Sequence, residues 1–154
     1  HRHMKIALDV MGTDYGPKEL VLGAVQAVKE FNCEIVLVGD PETIENLLRE
    51  YKADTDSRLS ICPATEVVRM DEHPSIAVKT KKNSSIVVAT RLLREKKCDA
   101  LVSSGSTGAA VAAAEDVSGI MMQNEPRCMQ MHRGFCGIKS AMCTKNMRRD
   151  PVFP

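Results

Sequence analysis

A chain of 154 residues with a formal net charge of +1 and 27% charged residues has the size and balance of one globular domain with a workable core. The near-neutral charge gives no basic surface for nucleic acid, and 3% aromatic residues without any Trp supply no platform for stacking bases or sugars. No apolar run reaches the roughly 18 residues of a membrane span and no basic-then-apolar leader opens the chain, so it reads as soluble and cytoplasmic.

His1-Arg2-His3 reads as an expression remnant before a natural start at Met4, and is set aside from fold and metal reasoning. Six cysteines with no CxxC pair read as reduced thiols acting as small apolar fillers. Charge is unevenly placed: residues 1–116 carry 15 Lys and Arg against 18 Asp and Glu, whereas 117–154 carry 6 against 2. A mildly acidic body precedes a basic tail.

Lys5 to Val10 is a short apolar run that meets glycine-containing sequence at once, as a buried strand meeting a loop does. The loop holds Gly12, Asp14 and Gly16; Pro17 then opens a helix in which Leu20, Val21, Ala24, Val25 and Val28 recur at helical spacing. Glu34 to Val38 is a second strand, ended by Gly39 and Asp40, and Pro41 begins a second helix with Ile44, Leu47 and Leu48 on one face. Strand, helix, strand, helix predicts a parallel, doubly wound sheet with helices on both faces. Ligands of such sheets gather at the carboxyl ends of the strands, so Asp9, Gly12 and Asp14 are expected on one edge with any later site loop. Asp14 has a plainer use as a turn-forming carboxylate. Neither G-x-G-x-x-G nor G-x-x-x-x-G-K-[ST] is present, which sets aside a nicotinamide cofactor and a P-loop nucleotide site.

Leu59 to Cys62 is a weaker third strand. Lys79, Lys81 and Lys82 follow within four residues and read either as a solvated helix face or as charge added to the start of the next helix. That helix is predicted over Ile86 to Lys96, with Asn83 and Ser84 as its capping residues and an electropositive N-terminus beside the lysines.

Ala100 to Ala114 reads as strand, tight loop, helix. Gly105 and Gly108 permit positive φ and close approach to peptide N–H groups. Ser103, Ser104, Ser106 and Thr107 add hydroxyl donors at a helix start that favours an anion. Two readings are open at this point. Ser106 or Thr107 simply caps the helix, or the loop holds phosphate or another oxyanion.

Asp9-Val10-Met11-Gly12-Thr13-Asp14, then Glu66-Val67-Val68 with Met70-Asp71-Glu72, Pro74, Lys81-Lys82 and Ser84-Ser85, then Ser103, Gly105 and Thr107-Gly108-Ala109, together resemble the bacterial phosphate acyltransferase family called PlsX. The resemblance covers residues 4–114. It implies a three-layer α/β/α fold similar to the isocitrate dehydrogenase and phosphotransacetylase groups, here truncated. It implies transfer of a fatty acyl group from acyl carrier protein to inorganic phosphate, giving an acyl phosphate for phospholipid synthesis, in a homodimer that associates peripherally with the membrane. On these positions Lys81, Lys82, Asp9 and Asp14 are the catalytic candidates. Ser104, Gly105, Ser106, Thr107 and Gly108, with Ser84 and Ser85, are the candidates for phosphate or oxyanion binding. The scheme needs no cofactor and no metal.

After Ala114 the resemblance stops. Residues 115–154 hold six of the nine Met and three of the six Cys, with no clear strand or helix period. They read as a non-family tail, and the chain by itself as a poor enzyme. The alternative function lies there: Cys128, His132, Cys136 and Cys143 offer borderline ligands at intervals of four, four and seven residues, from which a metal-stabilised fragment or interaction module would follow.

Overall fold

The computed structural model describes residues 3–12, 16–105, 107–118 and 140–143. In chain order the elements are β1 (Met4–Asp9), α1 (Pro17–Glu30), β2 (Cys33–Gly39), α2 (Pro41–Glu50), β3 (Leu59–Pro63), α3 (Pro74–Thr80), α4 (Ser85–Arg94), β4 (Ala100–Ser103), α5 (Thr107–Ser118) and β5 (Ser140–Cys143). Their order in the sheet is β3-β2-β1-β4-β5. The first four strands are mutually parallel, and β5 joins the edge of β4 antiparallel. The fold is α/β, three-layered and mainly parallel.

Strand alternation sorts the side chains into two cores. Ile6, Leu8, Ile35, Leu37, Ala100 and Val102 face one way, against Leu20, Val21, Ala24, Val25 and Val28 of α1 and Ile44 and Leu48 of α2. Ala7, Val36, Val38 and Leu101 face the other, against α3, α4 and α5. The strands are therefore apolar on both faces, as a sheet covered by helices on each side requires. Each buried Leu, Ile or Val contributes about 1.5–3 kcal/mol relative to exposure, so the apolar runs hold the layers together.

Proline sets three of the helix starts. Pro17, Pro41 and Pro74 each occupy the first turn, where a missing N–H costs nothing. Asp40 caps α2 by accepting from the Thr43 N–H at 3.1 Å. α4 behaves differently from the sequence expectation. Ser84 is its N-cap residue, but its hydroxyl makes no capping bond, and the helix covers Ser85–Arg94, not Ile86 to Lys96. It ends early because Lys96 takes φ 58°, while the N–H groups of Lys97 and Cys98 turn back to the Leu92 carbonyl.

β5 lies in the segment whose sequence shows no strand period. Edge strand β4 presents a row of unpaired backbone groups, and Ser140–Cys143 pairs with it, Leu101 opposite Met142. Backbone pairing of this kind asks little of side-chain pattern.

The winding fixes where a ligand belongs. From β1 the chain moves outward through β2 to β3, then returns through α3 and α4 to place β4 on the other side of β1. The carboxyl ends of β1 and β4 are therefore the topological switch point, the usual binding crevice of an open α/β sheet.

Candidate active site

Asp9 and Ser103 are partners in register at those two strand ends, both on the face that carries Ala7 and Leu101. Asp9 is only 3% exposed. Its Oδ1 accepts the Met11 N–H at 3.0 Å, and its Oδ2 accepts the Ser103 hydroxyl at 3.1 Å. The Ser85 hydroxyl at the start of α4 also donates to it. Burial is the largest influence and raises the carboxyl to about 6, against these three bonds, which favour the ionised form.

Ser103 Oγ also accepts the Gly105 N–H at 3.2 Å. That donor is thus occupied within the loop, contrary to the sequence expectation that it faces an anion. Positive φ is found at Gly12 (71°) and Gly16 (76°), not at Gly105. Gly12 is required twice over, since a Cβ there would also lie 3.3 Å from the Val68 carbonyl oxygen. At Gly105 a Cβ would lie 3.4 Å from the Gly12 carbonyl oxygen and 3.5 Å from Ser103 Oγ, the edge of ordinary contact. The fold itself makes little demand for glycine at 105.

Two further hydroxyls stand out. Ser84 is fully buried and Ser104 is 3% exposed, and neither Oγ has a hydrogen-bond partner among the described residues. A buried hydroxyl left unpaired costs about 1–3 kcal/mol, so two of them beside the switch point mark a place where donors are held ready. Gly108 is exposed in the first turn of α5, which opens at Thr107.

Lys81 sits differently from a simple phosphate ligand. Its Nζ lies 2.7 Å from Glu72 Oε1 and 3.0 Å from the Val67 carbonyl. Glu72 Oε2 also accepts the Arg69 N–H at 2.7 Å. This backbone bond, and then Lys81, hold the Glu72 carboxyl below its usual range. Lys81 therefore clasps residues 67–72, and Val67 and Val68 of that segment pack on Gly12. Lys82 is exposed, and its carbonyl accepts from Arg91.

The structure thus brings Asp9, Ser85, Ser103 and Gly105 together and sets Gly12 against Gly105. It ties Lys81 to the same end of the sheet through Val67. Asp14, Ser106, Cys128, His132 and Cys136 lie outside the described residues, and Cys143 is placed in β5. Among the described residues no group of three or more His, Cys, Asp or Glu is disposed to hold a metal ion. Nor is any helix there long and apolar enough to cross a membrane. Sequence reasoning had not paired Ser103 with Asp9, although alternation from Leu101 and Ala7 puts both on one face. The pairing of Glu72 with Lys81 had no sequence signal, since it depends on the path of an irregular loop.

Comparison with known proteins gives the chain's family. The family model described as fatty acid synthesis protein matches residues 4–127. The chain belongs to this family. It is the PlsX family to which the motifs at Asp9, Lys81 and Gly105 point. A phosphate acyltransferase of Heliobacterium modesticaldum is 54% identical over 111 residues, 72% of this chain and 33% of the relative. One from Desulfitobacterium hafniense is 53% identical over 111 residues, again 72% and 33%. A more distant phosphate acyltransferase from a Picosynechococcus species is 46% identical over 110 residues, 71% of this chain and 30% of the relative. The chain spans about a third of the length of these PlsX relatives.

Proposed function

We propose that this chain carries the phosphate-holding loops of a phosphate acyltransferase that moves a fatty acyl group from acyl carrier protein to inorganic phosphate. The observation that carries this reading is the family's serine-glycine loop at the β1/β4 switch point, with the Ser84 and Ser104 hydroxyls buried and unpaired beside it. The relatives' name, phosphate acyltransferase, supplies the reaction class.

In this proposal a phosphate oxygen attacks the thioester carbonyl carbon. The carbonyl π electrons become an oxyanion, which then re-forms the carbonyl as the C–S bond breaks and the carrier thiolate leaves to be protonated. Phosphate is a weak, strongly hydrated nucleophile, so holding it against the carbonyl and stabilising the oxyanion supply most of the acceleration. Ser84, Ser104 and the start of α5 at Thr107 and Gly108, together with the Ser106 of the sequence motif, are assigned to one anion. An ammonium has three donors, and Lys81 places two on Val67 and Glu72, so its third, with Lys82, is assigned to the other anion. The homodimer and the peripheral membrane contact implied by the resemblance belong to the full-length protein in this proposal.

In this proposal the remaining two thirds of the full-length protein supplies part of the cleft, and without it water screens the charges and weakens electrostatic stabilisation. The purified chain is therefore expected to bind inorganic phosphate while releasing carrier thiol from acyl carrier protein only at background. Calorimetric titration with phosphate tests the first part, with the Ser84→Ala, Ser104→Ala double variant losing the heat. Absence of phosphate binding, or binding untouched by the double variant, counts against the site.

A further inference from the structure

Asp9 is served by two Ser-Ser pairs, Ser84-Ser85 and Ser103-Ser104, and each pair divides its work the same way. One hydroxyl of each pair, Ser85 or Ser103, donates to the Asp9 carboxyl. The other, Ser84 or Ser104, is buried without a partner among the described residues. Asp9 also takes the Met11 N–H, and Ser103 passes the connection on by accepting the Gly105 N–H. One buried carboxyl thus joins the loop after β1, the loop after β4 and the first turn of α4. Its oxygens are taken up by these three donors, whereas the Ser84 and Ser104 hydroxyls have no partner among the described residues, so the carboxyl holds the loops and the two hydroxyls are left for a ligand.

Among the described residues no charged side chain bonds to Asp9. Lys5 on β1, Glu34 on β2, Arg91 and Arg94 on α4, and Glu66, Glu72 and Lys81 before it, are not among the influences on Asp9. Nor are Lys18, Glu19, Lys29 and Glu30 on α1. Those influences are burial and three hydrogen bonds. β4 carries no ionisable side chain.

We infer that Asp9, Ser85 and Ser103 are positioning residues, a buried bracket that sets the spacing of the Ser84 and Ser104 hydroxyls, and that anion binding at those hydroxyls is linked to proton uptake by Asp9. The occupant rests on the phosphate reading above, whereas the bracket does not. Consecutive Cα atoms are about 3.8 Å apart, so an anion on Ser84 or Ser104 lies within one residue's reach of the groups that hold the carboxylate. A second negative charge that close to a buried carboxylate favours its protonated form. By reciprocity, protonated Asp9 favours the anion, and affinity falls as pH rises through the carboxyl's titration. This assigns Ser85 to the bracket and not to the phosphate, and removes Asp9 from direct chemistry.

The test uses the full 154-residue chain, with inorganic sulfate as a probe whose charge is constant over the pH range and amide NMR signals as the readout. Sulfate affinity in the parent chain is expected to be higher near pH 5 than near pH 7.5, by about tenfold for each pKa unit the anion adds to Asp9. In Asp9→Asn the affinity is expected to be the same at both. Equal affinities in the parent, or a pH dependence that survives in Asp9→Asn, would overturn the linkage. Failure of sulfate and phosphate to bind at all would overturn both the linkage and the phosphate reading. The bracket is judged separately, without anion, by hydrogen exchange. Ser103→Ala should speed exchange of the Gly105 amide by tenfold or more while α1 and α2 stay protected, and this variant also serves if Asp9→Asn does not fold. Unchanged exchange at Gly105 would overturn the bracket.

Discussion

Replacing Asp9 by Asn should change how the stability of this protein responds to pH, and the sign is unusual for an acidic residue. The folded carboxyl lies at about 6 against an ordinary value of 3.8, chiefly through burial. The folded state therefore binds the proton more tightly than the unfolded state does. The stability that Asp9 contributes is complete below its unfolded value and is lost as pH rises through about 6. A difference of roughly 2 pKa units corresponds to about 3 kcal/mol over that window. Asn has nearly the same shape, can accept from Met11 with its oxygen and can donate to Ser103 Oγ, but does not titrate. Groups held low, such as Asp56 at about 2 beside Arg58, act in the opposite sense and are common to both proteins. They cancel in the difference between them. Urea unfolding of parent and variant at several pH values between about 4 and 7.5 supplies that difference. It should move by about 3 kcal/mol in favour of the variant as pH rises. A difference that stays constant across the range would refute a buried carboxyl raised to about 6.

Gly105→Ala should fold with little loss of stability, below about 1 kcal/mol, because its backbone lies outside the positive-φ region and the added Cβ meets only ordinary contacts. Its phosphate affinity should nevertheless fall at least severalfold, as titration calorimetry would show, and a large loss of stability with normal phosphate binding would reverse the assignment. Lys81→Met in a full-length family background should cut turnover by well over tenfold, the loss of an oxyanion donor costing about 3 kcal/mol. It should also free Glu72 from Lys81, visible as an upward move of that carboxyl in an NMR titration; normal turnover in both Lys81→Met and Lys82→Met would leave Lys81 as a structural clasp on Val67 and Glu72 and Lys82 as a solvated charge.

The parts of the fold that could be read from sequence are those with local punctuation. Pro17, Pro41, Gly39-Asp40 and the apolar periodicity between them mark β1, α1, β2 and α2, because helix starts and buried strands are specified over a few residues. α3 was harder to see: Pro74–Thr80 is only seven residues long, and its single lysine, Lys79, read as part of a charge run with Lys81 and Lys82. β5 was invisible, since its pairing is set by the open edge of β4 and not by the pattern of Ser-Ala-Met-Cys. At the site, the placement of Asp9 and Gly12 beside the serine-glycine loop followed from sheet topology. Which hydroxyls Asp9 would take, and which would be left over, depended on strand register and on the entry of α4. Those are long-range facts that no short window of sequence contains.

The most direct measurement is the position of phosphate in crystals of this chain grown or soaked with it. Phosphate should lie against the Gly105 to Gly108 loop, within hydrogen-bonding distance of Ser84 or Ser104. Phosphate found reproducibly elsewhere, with that loop covered by side chains and both hydroxyls bonded within the protein, would contradict the account.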